Sequence, residues 1–404
     1  MKNESVEDFV QQIGDVVCKN SPPSVWAQEV SEFIESAFSQ IGLKTRTFSA
    51  FGSTVAVIAI AKGTGSGPSI GFVNSIFQSK FSAKTANGIA EKGTDSESLK
   101  ILSSFTFLGA QLTAARELLT NSDLSEVQFH VCLYQIDSLL RTPIAAILDS
   151  GHKVDAIVAK VAQISDEIKC IGTATGVMIG SIKVEGLATH CGNRATTIRP
   201  GGLGDAAGVN ALEKGILVIS AIRELDDIWI RTKTHPQLPL ASCSIGISAF
   251  RADSGQLVPF FIPNLATINV RVEYGPHELE SELKEEIESH VITRVSHDPW
   301  LRNHNPKFSW ENLYPALDLD PSHKLATCAH TAVTMLPENK SGSSVQSSVV
   351  ENPIGSFYSA AGTPTVLLGF GAGAQSQSLA PTVDLSLMKK LATMMVETSI
   401  VWTK

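Results

Sequence analysis

The side chains able to hold a metal or move a proton are spread thinly along this chain. Its ten histidines fall in no His-Glu-x-x-His, His-x-His or His-x-Asp spacing, the local pairs that let two zinc ligands come from one turn or strand. The six cysteines, at 18, 132, 170, 191, 243 and 328, form no Cys-x-x-Cys pair. They read as separate buried thiols of a reducing compartment rather than as disulfides or a zinc knot. The net charge of −8 comes with no basic block, which argues against nucleic acid as a partner. Any catalytic centre must therefore be assembled from residues far apart in sequence, brought together by the elements that carry them.

The 404 residues, 43% of them hydrophobic and 18% charged, suffice for two or three soluble domains. The opening "MKNESVEDFVQQ" has no apolar signal core, and no apolar run is long enough to span a membrane, so the chain reads as cytoplasmic. Residues 5–18 place Val6, Phe9, Val10, Ile13 and Val17 on one helical face, with Ser5 as N-cap and Asp8 as its capping-box acid. A second helix carries Trp26, Val30, Phe33, Ile34 and Ile41 and ends at Gly42. Strands follow at 53–61 and 68–74, and residues 79–100 are loop-like. A helix through "LGAQLTAARELL", the strand "VQFHVCLY", a helix around "PIAAILDSG" and the strand "VDAIVAKV" complete an alternating α/β half. From residue 178 the pattern changes to β-α-β-β-α, with a helix at 206–225 and a fourth strand expected near 254–261. The α/β pattern then returns, with a helix near 322–335, the strand "TPTVLLGF" and a terminal helix from 385. The expected organisation is an α/β domain of residues 1–177 and 294–404, interrupted by an inserted α+β domain of residues 178–293.

Several stretches in this order, "IKVEGLATH", "GVNALEKGILVISAIREL", "IPNLATINVRVEY", "HDPWLRNHNPKFSW" and "AAGTPTVLLGFGAG", resemble the two-zinc aminoacylase, acetylornithine deacetylase and succinyl-diaminopimelate desuccinylase family, which includes carboxypeptidases and amidohydrolases. The likeness covers nearly the whole chain. It implies a zinc-exopeptidase-like mixed sheet flanked by helices. The inserted domain would be a ferredoxin-like lid and dimerisation domain, a four-stranded sheet with two helices. It also implies homodimers formed through residues 178–293, with Val209, Leu212, Ile216 and Ile219 supplying part of an apolar stripe.

The family's chemistry needs two zinc ions held by His and carboxylates, a Glu that takes a proton from the bridging water, a His from the partner subunit on the oxyanion and an Arg on the substrate carboxylate. Carried over by position, the first zinc His falls on Phe72 and its orienting Asp on Asn74, in "GFVN". The bridging Asp falls on Asp95, with Glu97 as alternative. The Glu pair falls in "QIDSLL" on Asp137–Ser138 or Ser138–Leu139. The next ligand falls on Val161, and the last His on Gln377, with Gln375 as alternative. Phe, Val and Gln do not hold zinc usefully, so the reading is that no metal cofactor is bound. His190 stands at the in-trans His position, competing with an ordinary interface histidine. Arg271 stands near the carboxylate-binding Arg, competing with a solvated strand residue in a salt bridge, and Asn264 lies on the same approach. Lys92 and Lys160 fall near the lost ligands, where an ammonium could stand in for zinc charge.

Three functions follow. The first is a pseudoenzyme that binds a small amino-acid-derived ligand or regulates. The second is a metal-independent enzyme on an N-acyl-amino-acid-like substrate, with Asp137, Asp95, His190 and Ser138 as candidate acid–base groups. Ser138 lacks a Gly-x-Ser-x-Gly elbow, and a plain turn serine competes with a catalytic one. The third is an active two-zinc amide hydrolase with other ligands.

Overall fold

The computed structural model describes residues 6–17, 21–78, 95–120, 124–135, 139–162, 168–191, 208–253, 260–336, 353–370 and 385–403. The chain divides into two compact units, Met1–Ala174 with Leu317–Lys404, and Thr175–Ala316. Among the described residues no helix is long and apolar enough to cross a membrane.

The larger unit opens with helices α1 (Val6–Val17) and α2 (Pro23–Ile41). Phe9, Ile13 and Val17 of α1 and Trp26, Val30 and Ile34 of α2 are buried at the expected helical spacing. Gly42 closes α2 at φ 105°, a left-handed conformation open to glycine, and its N–H reaches the carbonyls of Phe38 and Ser39. Ser5 lies outside the described residues, as does the side chain of Asp8.

Strands β1 (Lys44–Ala50), β2 (Ser53–Lys62), β3 (Ile70–Phe77), β4 (Glu126–Tyr134), β5 (Ile157–Ala162), β6 (Lys169–Ile171) and β13 (Thr365–Phe370) form one mixed sheet in the order β1-β2-β4-β3-β5-β13-β6. Its centre, β4-β3-β5-β13, is parallel, and β1, β2 and β6 pair antiparallel. These central strands are nearly continuous apolar runs, as strands covered on both faces must be. Helix α3 (Asp95–Leu118), α7 (Lys324–Thr334) and α9 (Leu385–Thr403) join α1 and α2 over one face in a single apolar cluster. Helix α4 (Thr142–Asp149) lies on β1, β2 and β4 with its buried Ile144 and Ile147 outside that cluster, covering the other face. The short α8 (Ser356–Ala360) precedes β13. Strands β7 (Thr173–Ala174) and β12 (Leu317–Asp318) pair as a small two-stranded sheet.

The smaller unit runs β8 (Gly176–Glu185), α5 (Ala211–Thr232), β9 (Ser244–Asp253), β10 (Leu265–Tyr274), α6 (Glu280–Val295), β11 (Lys307–Tyr314). Its all-antiparallel sheet has the order β11-β8-β10-β9, the ferredoxin-like arrangement in which the last strand pairs with the first. The fourth strand is therefore β11, not 254–261, of which 254–259 lie outside the described residues. The unit extends to Ala316 instead of ending at residue 293. The reason is packing: Leu301 is buried in this unit's core, and Trp300, Phe308 and Trp310 pack against it. Of the proposed apolar stripe on this side, Leu212 and Ile216 are exposed, Val209 is buried and Ile219 packs onto the core.

Candidate site at the switch point of the large sheet

The chain leaves β3 through α3 to β4 on one side, whereas β5 leads on to β6, at the far edge beyond β13, on the other. Where neighbouring parallel strands send their connections in opposite directions, open α/β sheets bind ligands at the carboxyl ends. That point lies between β3 and β5. The two strands pair only over Gly71–Val73 and Ile157–Ala159, so Asn74 and Lys160 are the first residues beyond the last paired positions. A Cβ at Gly71 would come within 2.8 Å of Ile157 Cδ1, so the tip of Ile157 would have to shift to admit one.

Asn74 and Lys160 meet in a buried polar cluster under α3. Asn74 Nδ2 donates to the Ser104 carbonyl at 2.9 Å, and its Oδ1 accepts from the Ser75 N–H at 2.9 Å. Ser104 Oγ donates to the Ser75 carbonyl at 2.7 Å. Lys160, 5% exposed, donates from Nζ to Ser104 Oγ at 2.6 Å and to Ser103 Oγ at 3.2 Å. Burial pushes its ammonium down from the ordinary value of 10.5 to about 7, because a desolvated charge without a facing carboxylate favours its neutral form. Gln111, one turn-pair further along α3, donates to the Phe72 carbonyl at 2.9 Å. The sheet's polar backbone at this point is thus tied to α3 by side chains.

Phe72 is fully buried, stacked on Phe129 with ring centroids 6.0 Å apart, and belongs to the apolar cluster. Val161 is also buried and offers no donor atom; the side chain beside Asn74 is that of its neighbour Lys160. Asn74 spends both ends of its amide on backbone, where the resemblance would have an Asp orienting a ligand. The described side chains at this point therefore do not fit a two-zinc centre: two are hydrocarbon and one is an amine that already donates twice. Asp137, Ser138, Gln375, Gln377 and Lys92 lie outside the described residues. Asp95 and Glu97 begin α3, and their side chains also lie outside them.

In the smaller unit, His190 bridges to Phe261, and its ring sits 5.9 Å from that of Phe260 and 5.7 Å from that of Phe261. The Asn264 carbonyl accepts from the Gly186 N–H at 2.8 Å, at the same end of the sheet. Arg271 pairs opposite Ile179, seven residues along β10 from Asn264, about 23 Å at ~3.3 Å per residue. Its Nε is 2.9 Å from Glu273 Oε1 on the same strand. The structure thus brings His190 and Asn264 to one end of this sheet and leaves Arg271 away from them in a salt bridge.

The opposite face of the large sheet carries a polar chain that no sequence motif announces. His130, fully buried on β4, has Nδ1 2.8 Å from Tyr358 Oη and Nε2 2.8 Å from Gln128 Oε1. His152 Nε2 is also 2.8 Å from Gln128 Oε1, and its Nδ1 lies 3.4 Å from an Arg46 guanidinium nitrogen. An amide oxygen only accepts, so both imidazoles must carry their proton on Nε2, and Tyr358 must donate to His130 Nδ1. Both rings are neutral. Burial, helped by His152, pushes His130 down to about 3, and burial raises Tyr358 well above its usual value. The one signal in sequence was the alternation of Gln128, His130 and Cys132 within an otherwise apolar strand.

No protein-family model matches the chain. Solved structures resemble it over nearly its full length. A tripeptidase from Staphylococcus aureus superposes with a TM-score of 0.70 at 14% identity, covering 99% of each chain. A dinuclear metal binding peptidase of the M20 family from Bacillus subtilis gives 0.63 at 13% identity, covering 98% of this chain and 99% of its own. The chain has the fold of these peptidases. A curated relative, the N-formyl-4-amino-5-aminomethyl-2-methylpyrimidine deformylase of Halalkalibacterium halodurans, is 30% identical over 224 residues, 53% of this chain and 51% of the relative. The chain spans about half the length of the curated relatives it matches.

Proposed function

We propose that this chain is a non-hydrolytic, ligand-binding relative of the two-zinc amide hydrolases, built on their fold without their metal centre. The observation that carries the reading is Phe72. Its side chain is fully buried and stacked on Phe129 in the apolar cluster, so the position at which the resemblance expects the first zinc ligand offers hydrocarbon and no donor atom. The ligand class proposed is small and amino-acid-derived; the tripeptidase likeness supports it, whereas the deformylase relatives, named for an N-formylated aminopyrimidine, widen it to N-formyl amines. The chain acts as a homodimer through α5 and the edge strand β9, on which Leu212 and Ile216 are exposed. Elemental analysis of the purified protein tests the reading together with a thermal-shift screen of N-formyl amines, N-acyl amino acids and dipeptides. Substoichiometric zinc, with stabilisation by a ligand but no turnover, is expected. Two equivalents of zinc with chelator-sensitive hydrolysis would overturn it. That second outcome defines the competing reading, an active amide hydrolase, which the deformylase relatives favour. Sedimentation at micromolar concentration checks the dimer.

A further inference from the structure

Lys160 makes two hydrogen bonds at the switch point, to Ser104 Oγ and Ser103 Oγ. Ser104 spends its own proton on the Ser75 carbonyl, so its oxygen can only accept from Nζ. Ser103 Oγ accepts a second N–H. A primary amine has two hydrogens, and both are thereby placed. A third proton, which would make the group an ammonium, meets no acceptor among the described residues, and a buried unpaired N–H is costly. The arrangement is satisfied as a neutral amine with its lone pair unused. Nothing in the described surroundings restores the charge. Strand β3, strand β13 and α3 from Ser103 to Ala115 carry no titratable side chain. His130, by contrast, has both ring nitrogens occupied, so it has no lone pair to offer.

We propose that Lys160 presents a nucleophilic amine at the carboxyl ends of β3 and β5 and captures small carbonyl compounds, aldehydes or 2-oxo acids, as imines. The proposal rests on the reading that this point still binds ligands without metal. In the reaction the Nζ lone pair attacks the carbonyl carbon, and one Nζ proton moves to the carbonyl oxygen. The second leaves with the resulting hydroxyl as water, and a C=N bond remains. No oxidant or reductant is consumed. Desolvated lysines are activated as nucleophiles in this way. The hydroxyls of Ser103 and Ser104 hold the two N–H bonds and so aim the lone pair.

Glyoxylate with cyanoborohydride at neutral pH tests this on the full-length wild-type protein, since reduction fixes each imine as a stable adduct that peptide mass spectrometry locates. The expected result is an adduct at Lys160 at least about tenfold more abundant than at the median lysine, given the larger neutral fraction of a desolvated amine. The excess adduct disappears in Lys160→Gln. Labelling of Lys160 no faster than that of the other lysines, or only after denaturation, overturns the proposal. Zinc content measured on the same preparation separates the two readings, because a metal-loaded protein refutes the non-hydrolytic function whatever the adduct pattern.

Discussion

The two faces of the large sheet bury polar groups in opposite ways. On one face His130, Gln128, His152 and Tyr358 form a chain in which each imidazole nitrogen has a partner. On the other, Lys160 has two partners where its charged form would need three. The first arrangement is closed and holds β4, α8 and the loop before β5 together. The second is open by one bond. Buried polar groups that close on themselves serve the fold, whereas one left open is stable only in a particular protonation state or with something bound.

The largest test of this contrast is the pH dependence of stability. Both groups have folded-state values below their ordinary ones, so for each the unfolded chain takes up the proton first and stability rises with pH. The Lys160 contribution is complete above 10.5 and is lost as pH falls to about 7. The His130 contribution is complete above 6.5 and is lost as pH falls to about 3. Each window is worth on the order of 5 kcal/mol. Urea titrations across pH should show Lys160→Met flattening the slope above pH 7 alone, and His130→Leu flattening it below pH 6.5 alone. A slope unchanged by either variant breaks the comparison.

At neutral pH, His130→Leu is expected to cost about 2–3 kcal/mol, because it strands the buried Tyr358 hydroxyl. Adding Tyr358→Phe should recover about 1 kcal/mol of that loss, since removing both partners spares the unpaired group; additive losses would show that the two do not act as a pair. Lys160→Met runs the other way. It removes a buried amine that must give up its proton near pH 7, at the loss of two hydrogen bonds, so it should raise stability at pH 7 by about 1–3 kcal/mol. A loss above about 2 kcal/mol at pH 7 would mean that the amine is closed after all.

Much of the frame was legible in the sequence. Apolar runs at 53–61 and 68–74 are β2 and β3, the spacing of Trp26, Val30 and Ile34 is α2, and Gly42 ends it. The change of pattern near residue 178 marks the smaller unit. Its far edge was misplaced because β11 reads as a weak strand, "KFSWENLY", whose burial pattern alternates only partly. What identifies it is its pairing with β8, which lies more than a hundred residues earlier. The candidate site was half legible. Phe72 can be read in the chain at the position where the resemblance expects a ligand, but the placement at Val161 cannot choose between adjacent residues that point to opposite faces of a strand.

By itself the sequence determined most of the long strands and helices and the lack of any local zinc-ligand spacing among its histidines and cysteines, and the resemblance places a phenylalanine where the first ligand is expected. The first two follow from residue type and short-range spacing. Only the tertiary structure decided which polar side chains are buried together and whether their hydrogen bonds close. Ser104 and Lys160 are 56 residues apart, and His130 and Tyr358 are 228 apart. Protonation state depends on counting donors and acceptors within a few ångströms, and that count exists only once the chain has folded.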